Sequence, residues 1–308
     1  MMILIRPNQT KNKTMHKFFQ SKGGFSLMLL FILVACNGSV KFDTSTGMVT
    51  TGVGLSCSDV YLTGDQGKIK NRILIYGQSA FLNFNNIRGF KKENGRVYPG
   101  MEVRILDKDK KTVVHKDDLY KDQDGFDIDP LLLQTDFTAG RPMKSAEKYT
   151  LSVRIWDKKN TKSQFTAKVD FKLVHNIDIK VKTTDAECQE AYLFSDDQGK
   201  TIIDQWVGPR EKVYLLMEGL EGFTEEEGMV AAGLSMLLTD AKGTKIIDEK
   251  DLLEDNPQSA ESFKKQLAPN FRLAGDEIKN PVNCVIEVWD KKGNSRIKVE
   301  TKVKLRAL

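Results

Sequence analysis

Two hydrophobic patterns divide the chain. Between Phe25 and Val34 apolar residues run almost unbroken, whereas beyond Cys36 they alternate with polar ones at the two-residue period of half-buried strands. In YTLSVRIWDKK, Leu151, Val153 and Ile155 alternate with Ser152 and Arg154, and SQFTAKVDFKL answers with Phe165, Ala167, Val169 and Phe171. Strand, polar turn and second strand predict a hairpin. NCVIEVW repeats the plan, with a turn at Asp290 to Asn294 and a return through Ile297, Val299, Thr301 and Val303. Turns at Asp107 and Asp240 add further hairpins, and GMVTTGVGLSC and NIDIKVKTTDAEC each supply a first strand. Long helical periodicity is missing, so the fold class is all-β.

The pattern occurs twice. The 41 residues from Leu82 align without a gap on those from Leu215, and Gly89, Phe90, Gly95, Gly100, Asp107 and Asp118 recur as Gly222, Phe223, Gly228, Gly233, Asp240 and Asp251. CSDVYLTGDQGK from Cys57 echoes CQEAYLFSDDQGK from Cys188, and VRIWDKK echoes IEVWDKK downstream. Three collinear blocks indicate a duplicated module of about 130 residues, an ordinary domain size. Short strands between Gly, Asp and Asn turns predict two tandem immunoglobulin-like β-sandwich domains, residues 48–174 and 175–308. The shared Gly-Phe pair marks a tight bend with a buried ring. The Gly-, Ser- and Thr-rich residues 36–47 read as a flexible tether.

The apolar run is too short to span a membrane, which takes about 20 residues, but suits the core of a signal peptide. Arg6, Lys11, Lys13, Lys17 and Lys22 precede it without an acid, the expected positive n-region. Residues 1–35 therefore read as a leader, with Met15 the better start by length. Leu33-Val34-Ala35-Cys36 resembles the lipobox of bacterial lipoproteins, a resemblance confined to the signal region. It implies cleavage before Cys36 and acylation of that cysteine, hence a protein held on a membrane by several acyl chains. Asn37 stands where the enterobacterial rule places aspartate for inner-membrane retention, which points to the outer membrane. Surface-exposed lipoproteins of Bacteroidota carry acids just after the cysteine; here only Asp43 does so, favouring the periplasmic over the cell-surface face.

The leader also accounts for the charge. Of 47 Lys and Arg against 42 Asp and Glu, five basic residues precede Cys36, so the remainder is balanced at 42 and 42. With no basic tract or RNA-binding aromatic motif, nucleic acid is not an expected partner.

Catalytic motifs are scarce. Beyond the leader stand only His115 and His175, both read as surface residues, and GQSAF and GLSML lack the second glycine of a nucleophile elbow. No phosphate loop or zinc spacing occurs. Asp122, Asp124, Asp127 and Asp129 crowd around Gly125 and form a candidate calcium loop, set against a solvated acidic loop; the EF-hand register fails at Tyr120. No other cofactor is expected. Cys57, Cys188 and Cys284 make an odd count, with a Cys188–Cys284 bridge or three inert thiols as alternatives. Trp206, unmatched in the first copy, is the candidate ligand contact; Trp156 and Trp289 stand at matching sites before turns. The reading is a non-catalytic binding or scaffolding element of the envelope with a protein or glycan partner. Its rivals are a glycan- or protein-binding lipoprotein of a nutrient-capture system and a hydrolase using paired carboxylates.

Overall fold

The computed structural model describes residues 38–306 apart from 276. The leader and Cys36 lie outside the described residues. The rest is nearly all strand; the short helix Ala260–Lys265, capped by Ser259 and buried through Phe263, interrupts it.

In the first repeat, one sheet runs in the order Met48–Val53, Asn160–Val174, Lys148–Asp157, Pro99–Leu106, Thr112–Lys116. Asp59–Gly64, Ser79–Ile87 and Leu131–Thr138 form the facing sheet. Alternation decides which side chains meet between them. Val103, Ile105, Leu151, Val153 and Ile155 point inward from one sheet, Leu82, Phe84 and Leu133 from the other, all buried. Phe84 and Phe165 meet edge to face across the layers with ring centres 6.3 Å apart.

The second repeat follows the same order. Ile179–Thr184, Arg296–Leu305, Val282–Asp290, Ala232–Thr239 and Lys245–Glu249 make one sheet; Glu187–Ser195 and Lys212–Glu221 lead the other, with Gln266–Leu267 and Asn270–Arg272 pairing on Lys212–Glu221. In both repeats a short strand lies parallel to the last long one: Ile73–Ile75 on Asn160–Val174, Trp206–Val207 on Arg296–Leu305. One hydrophobic core runs from Met48 to Leu173 and a second from Ile179 to Val303.

The repeated aspartates have repeated tasks. Asp107 Oδ1 accepts the Asp109 and Lys111 N–H groups, as Asp240 Oδ1 accepts those of Lys242 and Thr244. Asp157, wholly buried, accepts from the Lys91 and Lys159 amides, and Asp290 from those of Thr224 and Lys292. These bonds pin the loop carrying the Gly-Phe pair to the last hairpin. Gly89 takes φ +101° and a β-carbon there would stand 2.0 Å from the Gly54 carbonyl, so the bend requires glycine. Phe90 and Phe223 are half-buried against their cores rather than enclosed.

The expected tether is corrected where it is described. Gly38–Asp43 is a strand, paired along its whole length with Met48–Val53, which in turn joins Asn160–Val174. Asp43 closes the turn by accepting the Ser45 N–H and hydroxyl and the Thr46 hydroxyl at 2.7–2.8 Å; these bonds lower its pKa to about 2. Glycine and serine content points to a linker, but the outer edge of Met48–Val53 offers the segment a ladder.

Candidate functional site

The most elaborate polar cluster lies where the repeats meet. Glu190 and Glu218 stand directly opposite each other on neighbouring strands of the second repeat. Alternation turns Ala191, Leu193, Leu215 and Met217 into the core and both glutamates outward, yet each carboxylate is buried, Glu190 to 3% exposure and Glu218 to 7%. Residues of the first repeat and the segment after it cover them.

Each acid is surrounded by donors. Glu190 accepts the Ser145 N–H at 2.8 Å, the Ser145 hydroxyl at 2.9 Å and His175 Nδ1 at 2.9 Å. Glu218 accepts the Tyr76 hydroxyl at 2.9 Å, the Tyr192 hydroxyl at 2.8 Å and Arg141 Nε at 2.8 Å. The two tyrosine rings pack at 5.4 Å. The bond to Glu190 raises the His175 pKa. Burial, reinforced by Glu218, raises both tyrosines, so their hydroxyls stay protonated and donate. Two carboxylates are thus brought side by side on neighbouring strands, each held by three donors.

A second cluster was missed by the sequence. On the outward face of the first sheet, His115 Nε2 lies 3.0 Å from Glu102 Oε1 and 3.2 Å from Asp117 Oδ1. Among the described residues these three side chains could hold a metal ion. Arg104 already pairs with the same Glu102 oxygen at 2.6 Å. Hairpin register, which puts His115 opposite Arg104 and Arg104 beside Glu102, was the signal available.

The sequence candidates fare unequally. Asp122, Asp124, Asp127 and Asp129 are all exposed and do not converge; Asp124 pairs with Arg96 at 2.9 Å and Asp129 with Lys92 at 3.6 Å. In this candidate calcium loop Asp124 and Asp129 thus turn toward separate cations, and Asp122 and Asp127 face solvent. Cys57, Cys188 and Cys284 are free thiols and the Cys188–Cys284 bridge is not formed. Cys284 is fully buried in the core, while the Cys188 thiol lies 3.4 Å from the Glu190 carbonyl. Trp206 is 39% exposed, with Lys304 Nζ 5.5 Å from its ring, and borders a cavity of about 180 Å³ between the repeats, beside the Lys200–Asp65 pair at 3.0 Å. Its structural counterpart in the first repeat is Ile73. Trp156 and Trp289 instead lie flat over Gly100 and Gly233. A larger cavity, about 610 Å³, opens at the edge of the second repeat, where Lys180, Lys302 and Lys304 are balanced by Asp178, Asp204 and Glu300.

No protein-family model matches the sequence, and no curated protein matches it. Among solved structures it is similar to dimeric latent PorU from Porphyromonas gingivalis, at 12% identity and a TM-score of 0.26, over 82% of this chain and 20% of that one. Escherichia coli alpha-2-macroglobulin aligns at 9% identity and a TM-score of 0.28, over 84% of this chain and 15% of that one. The C-terminal domain of the Streptococcus agalactiae AgI/II polypeptide BspA aligns at 11% and 0.24, over 79% and 99%. The chain spans a fifth or less of the first two. It has an all-β fold with distant, low-identity likenesses.

Proposed function

We propose that this chain is a lipid-anchored envelope protein of the outer membrane that binds or scaffolds without catalysis, its body a tandem of immunoglobulin-like sandwiches. The observation that supports the non-catalytic reading is the junction: its buried acids, Glu190 and Glu218, are each held by three donors and bind the repeats together. The immunoglobulin-like reading is supported by the strand path. Ser79–Ile87 lies in one sheet, Pro99–Leu106 in the other, Leu131–Thr138 back beside the first, and the last two long strands across again, a Greek-key course. The anchor reading is supported by the basic n-region, the apolar run and the lipobox-like residues ending at Cys36. Growth with a lipid analogue tests it: wild-type protein takes up label and Cys36→Ala does not. Equal labelling of the two overturns the anchor.

Ligand capture is the second reading, favoured by the exposed Trp206 beside a cavity that both repeats line. Trp206→Ala then abolishes retention on a partner glycan or protein while leaving the melting temperature unchanged.

A further inference from the structure

The strand Gly38–Asp43 leaves an apolar strip in the open. Val40 is 71% exposed and Phe42 62%; Val49 and Val53, on the strand paired with it, are each 38% exposed. Register puts all four on one face, because Phe42 faces Val49, Val40 lies two pairs along opposite Thr51, Val53 is two residues beyond Thr51, and Met48 and Gly52 at the alternate positions are turned inward and buried. Edge strands that must stay soluble are blunted with charge on the exposed side. Here Lys41 and Asp43 alternate onto the opposite side, so on these two strands the exposed face carries no charge and Thr51 is its polar side chain.

Two features of the chain indicate what covers the strip. The first is reach: Gly38 follows Cys36 by two residues, at most about 7 Å of chain, so acyl chains on Cys36 would bring the hairpin to the lipid surface. The second is charge. Lys168 faces Val49 and Arg154 lies one strand further in, opposite Thr166, with its guanidinium 4.9 Å from the Trp156 ring. Arg154 also stands opposite Glu102, which pairs with Arg104 at 2.6 Å, and Asp170 accepts the Thr150 hydroxyl at 2.7 Å, which leaves Lys168 as the cation nearest the strip. An apolar strip bordered by the Lys168 ammonium suits an anionic lipid interface. A second copy of the chain, packed strip to strip about a twofold axis, would bring Lys168 and its border of charge against their own image.

We propose that Val40, Phe42, Val49 and Val53 bed into the interfacial zone of an anionic membrane, so that the first repeat lies on the lipid rather than swinging from it. This rests on the reading that Cys36 is acylated. The test uses the full acylated protein in phosphatidylethanolamine–phosphatidylglycerol vesicles, with Cys188→Ser to silence the half-buried thiol. An environment-sensitive fluorophore is placed at Val40→Cys or Val53→Cys, and at Leu252→Cys as an exposed control in the second repeat. Expected are flotation with the vesicles, several-fold stronger quenching by lipid spin labels at positions 40 and 53 than at 252, and loss of that excess in Phe42→Asp. Protein that fails to float overturns the anchor and the docking with it. Protein that floats while the probes remain open to aqueous iodide overturns the docking alone. Probes shielded from iodide but untouched by the lipid quencher overturn the lipid assignment in favour of a protein cover.

Discussion

Trp156 faces Gly100 across the ladder between neighbouring strands, and its indole lies so close that a β-carbon on the glycine would stand 2.1 Å from the ring. Trp289 and Gly233 repeat the arrangement at the same 2.1 Å. Gly100→Ala or Gly233→Ala must push a tryptophan off its strand, with an expected loss of about 1–3 kcal/mol, the range for overpacked sites. Urea denaturation measures it. Adding Trp156→Leu to Gly100→Ala should recover part of the loss, and strict additivity would mean that the two residues do not bear on each other.

The junction makes a separate prediction. Arg141 is the first repeat's cation on Glu218, but its side chain is 45% exposed, which weakens the pair through solvent screening. Arg141→Ala is therefore expected to cost about 1–2 kcal/mol, less than the several kcal/mol of a fully buried pair. Glu218→Gln retains the shape yet weakens the bonds from Arg141, Tyr76 and Tyr192 together, so its loss should be at least as large. Differential scanning calorimetry on both variants checks the order.

His175 gives this junction a pH dependence. Glu190 raises its pKa in the folded chain, so the stabilisation is fully present below the ordinary histidine value of 6.5 and fades as pH climbs through the raised one. Ser145 completes the shell of Glu190 and does not titrate in this range. Melting temperatures followed upward from pH 6 should show a shallow decline absent from His175→Ala. A wild type that gains stability over the same interval relative to that variant contradicts the assignment.

The three thiols should be inert while the chain is folded. Burial pushes Cys284 up to about 12, and burial together with the Glu190 carboxylate takes Cys188 to about 12; burial raises Cys57 as well. At pH 8 roughly one thiol in ten thousand would be thiolate at such a pKa, and reactivity follows the thiolate. A disulfide-exchange reagent should therefore react slowly with native protein and count three thiols beyond Cys36 in denaturant. One thiol in denaturant would mean that Cys188 and Cys284 are bridged after all.

What could be read from the residues was whatever obeyed local alternation. Leu151, Val153 and Ile155 are buried where a two-residue period puts them, and the turns at Asp107 and Asp240 form as the side chains require. The junction was illegible for the same reason. Glu190 and Glu218 occupy outward positions of ordinary strands, and an outward glutamate reads as solvated until another part of the chain is known to cover it. Tyr76, Arg141 and Ser145 reach these acids from segments far away in sequence, and no local pattern joins those positions. The tether was misread by composition, although Val40 and Phe42 carried the strand's own alternation. The aspartates around Gly125 illustrate the converse: closeness in sequence did not bring their carboxylates to one point, because Arg96 and Lys92 draw two of them apart.

The proposed anchor at Cys36 would decide where all of this operates, and intact-mass and peptide mass spectrometry of the protein from its native cells tests it. The account predicts a chain that begins at Cys36 and carries the added mass of thioether-linked and amide-linked acyl chains. A mature chain that keeps residues 1–35, or one that starts at an unmodified cysteine, contradicts it.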